Sequence, residues 1–456
     1  MDQSSTIDEP VDASNLPETT LQTDSAVSNY WHSEASSSIL DIRPTLVAST
    51  GSTYCHSVAT VLNHTLPPWN RPHGTRQHTS ENDYFCQGHW SSDGSLLLTS
   101  SYDRCLRVFQ YPETVWNSRT SPSSEIPEPL GWEPFLCLRE SEGIVDCQWY
   151  PLANGYDPST WCVLTTTRDH PLHLWDVYTG QLRASYRTEN DREEILNSYA
   201  VAFNLDGTKV CAGCDNHLLL FDVNRPGREC TRIPITPTRR SRQGQKGIIS
   251  SIHFNPDKSG LYALGTFSNS VGLYDSRDHH LHYLKKPPGG SGVTQVQFSP
   301  CGYYLYVATR TKQTIYCWDI RQTGRWIYDI DRPMRTNQRI YFDMDPSGRY
   351  LATGHDSFGN VAVHALETYA GDTVPLAIEP RSTIFKSQGM VVSNAKFHPT
   401  QPHLCTLSGE RSTPEIPESP LPLSKDTASC PSTSSLDNSV RIWNWNPSPL
   451  SLRYDE

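Results

Sequence analysis

The sequence predicts an all-β chain, a seven-bladed β-propeller with a disordered acidic N-terminal tail, and three observations predict it. One short phrase returns seven times, an alternating apolar run that ends in an aromatic residue and often an Asp. Each phrase is preceded at nearly constant distance by a second apolar strand and a Pro, Asp or Gly turn. The turn-rich composition, with 34 Pro, 27 Gly and 10% aromatics, leaves no long stretch of helical periodicity. Units this small cannot bury their own apolar faces alone, so repetition implies stacking into a ring.

The closing phrase reads Leu172-His173-Leu174-Trp175-Asp176, Leu219-Leu220-Phe221-Asp222, Gly272-Leu273-Tyr274-Asp275 and Tyr316-Cys317-Trp318-Asp319. Weaker copies lie at 106–109, 361–364 and 440–444. Opening strands end at Trp90, Trp149, Phe203, Phe254, Phe298, Met344 and Phe397. From opening to closing position the interval is 19 residues for Trp90 to Phe109 and 18 for Phe203 to Phe221. It is 20 for Phe254 to Tyr274, Phe298 to Trp318 and Met344 to His364. Such an interval holds three short antiparallel strands and two tight turns, with a fourth, outer strand to follow. Closing positions recur 44 to 53 residues apart through the middle of the chain, near the ~40–45 period of a four-stranded blade.

Two blades are stretched, with intervals of 26 from Trp149 to Trp175 and 46 from Phe397 to Trp443. The expected organisation is a mostly disordered tail over 1–80, the propeller over 81–446 and a short C-terminal tail over 447–456. Insertions are expected at 112–131, rich in Pro, and at 410–435, rich in Ser, Pro and Thr. The last blade lacks an outer strand of its own, and a segment within 39–62 is expected to supply it and close the ring.

Net charge is −11 but uneven, since residues 1–50 carry eight carboxylates against Arg43 alone. The opening Met1-Asp2-Gln3-Ser4 has no basic or apolar leader, and no run approaches the ~18 apolar residues of a membrane span. The 13 cysteines are odd in number and scattered, which suits reduced thiols in the nucleus or cytoplasm. Cys211-Ala212-Gly213-Cys214 places its thiols on opposite faces of a strand, and no zinc-finger spacing accompanies it, so no metal or other cofactor is expected. Gly244-Gln245-Lys246-Gly247 lacks the spacing of a phosphate loop, and no Gly-x-Ser-x-Gly elbow occurs, so no catalytic residue is assigned. Asp103, Asp169, Asp215 and Asp437 fall in turns after second strands and are read as turn residues. Trp175, Phe221, Tyr274 and Trp318 are read as blade core.

Positive charge concentrates in successive blade connections on one face. Arg239, Arg240, Arg242 and Lys246 form the densest cluster, with no carboxylate among them. Lys285 and Lys286 follow in the next connection, then Arg332, Arg335 and Arg339, with Arg310 and Lys312 in a loop on that face. Such an arc can neutralise phosphates without regard to sequence. Sequence choice needs unpaired bases against aromatic or guanidinium planes, for which Tyr341 and Arg339 are candidates. The competing reading of the same residues is a set of solvated loop charges.

Blades that end in Trp-Asp resemble the WD40 repeat family. The connections carry a narrower resemblance, to the telomerase Cajal body protein family. The segments are Asn224-Arg225-Pro226-Gly227-Arg228-Glu229-Cys230, Gly244-Gln245-Lys246-Gly247-Ile248-Ile249-Ser250 and Thr179-Gly180-Gln181-Leu182-Arg183-Ala184-Ser185-Tyr186-Arg187. Thr336-Asn337-Gln338-Arg339-Ile340-Tyr341-Phe342-Asp343 and Ser408-Gly409-Glu410-Arg411 complete the set. The resemblance runs from Tyr84 to Trp443 and departs in the tail, the insertions and after Trp445. It implies a non-catalytic scaffold that binds box H/ACA-type small Cajal body RNAs and the telomerase ribonucleoprotein. The implied location is the nucleus, in Cajal bodies where they exist, with the cytoplasm as a second compartment. It implies protein partners through the propeller faces and neither a DNA nor a membrane partner. The alternative is a peptide-binding adaptor of a nuclear complex such as the spliceosome, working through the central mouth of the ring.

Overall fold

The structure is a computed structural model that describes residues 44–50, 84–112, 130–190, 192–238, 240–241, 243–310, 314–322, 326–333, 336, 338–366, 381–410 and 437–445. Of the expected tail over 1–80, residues 1–43 and 51–80 lie outside the described residues, as do most of both insertions and residues 446–456.

Seven sheets, each with four antiparallel strands, follow one another along the chain. Their inner strands are Phe85–Trp90, Ile144–Trp149, Ala200–Phe203, Ile249–Phe254, Val293–Phe298, Phe342–Met344 and Val392–Phe397. Every inner strand ends on the opening residue read from the sequence. The closing phrases form third strands, for example Leu172–Asp176, His217–Asp222, Ser270–Asp275 and Ile315–Asp319. Their Asp residues fasten the next turn, because Asp176, Asp222, Asp275 and Asp319 each accept the backbone N–H two residues on.

The ring closes through both ends of the repeat region. Thr45–Ser49, within the 39–62 window, pairs antiparallel with Val440–Asn444 as the outer strand of the seventh blade. Leu130–Gly131, at the end of the first insertion, adds a fifth strand parallel to it. This strand was not foreseen, since two residues carry no periodicity. The stretched second blade holds a short 3-10 turn, Pro158–Thr160, capped by the Asp157 carboxylate.

Apolar clusters lie between neighbouring blades. Phe221 packs with Leu164, Leu174 and Tyr186 of the blade before it, and Trp318 packs with Ala263, Val271 and Leu273 of the blade before it. Emptying such a site by an Ala substitution costs about 3–5 kcal/mol. Cys211 and Cys214 fall in clusters on opposite sides of the third blade, and burial pushes both thiols up to about 12.

A polar device joins the inner strands. A side chain on one inner strand accepts an amide N–H from the next: Asp146 from Val201, Ser251 from Val296, Gln295 from Phe342 and Asp343 from Phe397. Outer-to-inner connections reach back into blades in a similar way. Glu140 accepts from Thr165, Trp175 and the His173 ring, and Gln388 donates to Thr406 and Ser439. Of the four turn Asp residues, Asp103 and Asp437 bind within their own blades to Arg107 and Arg441, while Asp169 and Asp215 meet Asn197 and Asn216.

Candidate nucleic-acid interface

Connections from outer to inner strands share the upper face of the ring with the turns between second and third strands. The Phe267-Ser268-Asn269 turn of blade four sits between two of the cationic connections. Its Phe267 N–H donates to the Ile248 carbonyl at 3.0 Å, and Asn269 Nδ2 donates to the Pro287 carbonyl at 3.1 Å. Gly247, at φ +93°, lies so close that an added Cβ would strike Ser268, and a Cβ on Gly292 would lie 2.7 Å from the Phe267 carbonyl oxygen. Arg310 N–H then donates to the Gly292 carbonyl at 2.9 Å. The described residues of 235–248, with 267–269, 286–292 and residue 310, therefore form one continuous surface.

Arg240, Lys246, Lys286 and Arg310 are all exposed on that surface. Among the described residues of these segments and of the flanking turns, the carboxylates are Asp215 at one end and Asp331 at the other. Arg239, Arg242, Lys312 and Arg335 lie outside the described residues.

Four cations or aromatics read from sequence have structural employment instead. Lys285, on the outer strand Leu281–Lys285, holds its Nζ 5.6 and 5.4 Å from the ring centres of Trp318 and Trp326. Burial lowers its pKa. Arg332 is buried, donates to the Ile340 carbonyl and Thr353 hydroxyl, and is pushed by burial down to about 9. Arg339 lies 4.7 Å over the Tyr341 ring and donates to the carbonyls of Ser250 and Thr294, tying blades four, five and six together. Tyr341 is 6% exposed, its hydroxyl accepts from Gln87 across the channel, and burial raises its pKa. In the expected Arg339 and Tyr341 base platform, the guanidinium covers one face of the Tyr341 ring and both side chains contact neighbouring blades.

Phe267 is the aromatic that sequence reading missed. It is 39% exposed at the centre of the cationic surface. Its single signal was a large apolar residue at a turn position where Asp or Asn is usual.

The opposite, lower mouth of the channel is a cavity of 380 Å³ lined by Trp90, His253, Phe298, Asp343, Met344 and Lys396, among others. Here charge is internally matched. Lys396 Nζ is 3.2 Å from Asp343, whose carboxylate also accepts from Gln297 at 3.0 Å and from Phe397 N–H at 3.1 Å. Burial, then the Lys396 charge, pushes His89 down to about 3 and His253 down to about 4, so both rings are neutral near pH 7. Among the described residues no group of three His, Cys, Asp or Glu is placed to hold a metal ion.

A ring of seven such blades with Asp-fastened turns defines a WD40-repeat propeller. Residues 75–110 match the family model "WD domain, G-beta repeat", and residues 251–379 match "Lactonase, 7-bladed beta-propeller". Telomerase Cajal body protein 1 of Mus musculus is 36% identical over 326 residues, covering 72% of this chain and 59% of the relative. The Telomerase Cajal body protein 1 homolog of Drosophila melanogaster is 29% identical over 354 residues, covering 74% and 62%. Guanine nucleotide-binding protein negative regulator 1 of Schizosaccharomyces pombe is 31% identical over 281 residues, covering 60% and 69%. The chain belongs to the telomerase Cajal body protein family. It spans about three fifths of the length of the mouse and fly relatives it matches.

Proposed function

We propose that this chain is a non-catalytic RNA-binding scaffold. In this reading it escorts box H/ACA-type small Cajal body RNAs, telomerase RNA among them, within the nucleus. One observation carries the reading: an exposed, continuous cationic surface over blades three to five of a protein whose net charge is −11. Phosphates attract such a surface through counterion release, whatever the total charge of the protein. Arg239, Arg242, Lys312 and Arg335 adjoin its described cations in sequence and join the candidate set. The names of the mouse and fly relatives, which mention telomerase and the Cajal body, support the compartment, and the box H/ACA class is what the family resemblance implies. Recovery of the full chain from cells, followed by sequencing of its bound RNA, tests the proposal. Enrichment of small Cajal body RNAs is expected, and their absence would contradict it.

The lower cavity favours a second reading, a peptide-binding adaptor in a nuclear complex such as the spliceosome. Partner binding that survives high salt and nuclease, and is lost on substitution at the lower mouth, would favour the adaptor over the RNA scaffold.

A further inference from the structure

Contacts to phosphate hold every RNA alike, so choice among RNAs requires that a base come within reach of the protein. Bases of an A-form duplex are withdrawn into the helix, whereas unpaired bases can be laid on an aromatic face. Among the described residues, three aromatics on the upper face are substantially exposed: Tyr102, Phe267 and Phe358. The Tyr102 ring stacks on Tyr84 with centres 5.2 Å apart, which occupies one of its faces. Phe358 lies in the turn of blade six between opposite charges, its N–H donating to the Asp356 carboxylate and its carbonyl accepting from Lys386.

Phe267 has both a fixed base and charged neighbours. Its turn is fastened on one side to Ile248 and on the other to Pro287, and Gly247 and Gly292 let both connections approach closely. Exposed cations flank it in both directions, Arg240 and Lys246 on the blade-three side, Lys286 and Arg310 on the blade-five side. A strand laid across blade four would meet positive charge, then an aromatic face, then positive charge.

We infer that Phe267 is the stacking platform for an unpaired base of the bound RNA, with the phosphates before and after that base held by the two flanking pairs of cations. The inference rests on the RNA reading above and adds the residue that selects unpaired over duplex RNA. Stacking is insensitive to ionic strength while the flanking contacts are not, so the two contributions separate experimentally.

The test uses the full chain and two labelled probes, a mixed-sequence RNA single strand of about twelve nucleotides and the same sequence as a duplex. The wild-type chain is expected to prefer the single strand. Phe267→Ala should weaken single-strand binding roughly tenfold to a hundredfold. It should leave duplex binding and the slope of affinity against salt unchanged, and Phe267→Trp should restore the loss. Lys286→Glu with Arg310→Glu should instead weaken both probes and flatten the salt slope. If Phe267→Ala binds the single strand like wild type while the charge variant still fails, stacking at Phe267 is overturned and the RNA reading stands. If the wild-type chain binds neither probe, both are overturned.

Discussion

The upper surface over blades three to five and the lower mouth of the channel both gather ionisable side chains, and they differ in what those side chains already hold. At the mouth, Lys396 faces Asp343, and that carboxylate accepts from Gln297 and Phe397 as well. On the upper surface Arg240, Lys246, Lys286 and Arg310 stand exposed around an exposed Phe267. The lower cluster lies inside the ring, and the upper one is open to solvent. Charge clustering in sequence does not separate the two cases; the burial of each side chain does.

The sharpest way to break this contrast is at the mouth. Asp343→Ala removes the acceptor of three donors and leaves Lys396 unmatched in a half-closed cavity. A loss of about 3 kcal/mol in chemical denaturation is expected, with RNA affinity unchanged below the midpoint. A loss of RNA binding in the folded variant would move the site to the lower mouth.

Next in size is the reverse experiment on the upper surface. Arg240, Lys286 and Arg310 changed together to Glu should lower RNA affinity about a hundredfold at low salt, or ~2.7 kcal/mol. Unfolding should shift by no more than ~0.5 kcal/mol, because the three side chains are exposed. Filter binding and thermal melts of one preparation check both parts. The corresponding reversal of Arg239, Arg240 and Arg242 should act in the same direction.

A pH prediction concerns the lower edge, where His398 is fully buried. Its Nδ1 accepts from the N–H groups of Thr400 and Gln401, and its Nε2 donates to the Gly94 carbonyl at 2.9 Å. Burial pushes it down to about 3 from the usual 6.5. The unfolded chain therefore binds a proton that the native chain refuses between those values, so stability falls as pH drops below 6.5. At pH 5 this group alone should cost about 2 kcal/mol, and His398→Gln should flatten the profile between pH 7 and 5. A profile no flatter in that variant would show that other groups control acid sensitivity.

The smallest effect is the most discriminating. Lys285 and Lys286 are neighbours in sequence with opposite assignments. Lys285→Ala should cost about 1 kcal/mol of stability through its lost contact with Trp318 and Trp326 and leave RNA affinity intact. Lys286→Ala should leave the melt unchanged and lower affinity severalfold. If the two variants behave alike, the division between strut and contact fails.

Much of the fold was legible because strand alternation and turn chemistry are local. Trp90, Phe203 and Phe298 end their inner strands where the spacing put them, and Phe221 and Trp318 are buried as closing aromatics should be. The Leu130–Gly131 strand was illegible, since its pairing is set by Thr45–Ser49, a strand far upstream in the sequence. The cationic surface was half legible. Sequence placed Arg240, Lys246 and Lys286 in upper connections and Arg310 in an upper loop, but it could not distinguish them from Arg332, Lys285 and Arg339. Those three find partners in adjoining blades through long-range packing. Tyr341 looked available for the same reason, and Phe267 was passed over because an aromatic in a repeat protein reads as core.

Photocrosslinking of the full chain to its co-purified RNA, with modified peptides located by mass spectrometry, tests the central claim most directly. Crosslinks are expected within 235–248, at Phe267, within 286–292 and at Arg310. Crosslinks confined to the lower mouth around Trp90, His253 and Phe397, or none above a no-light control, would contradict it.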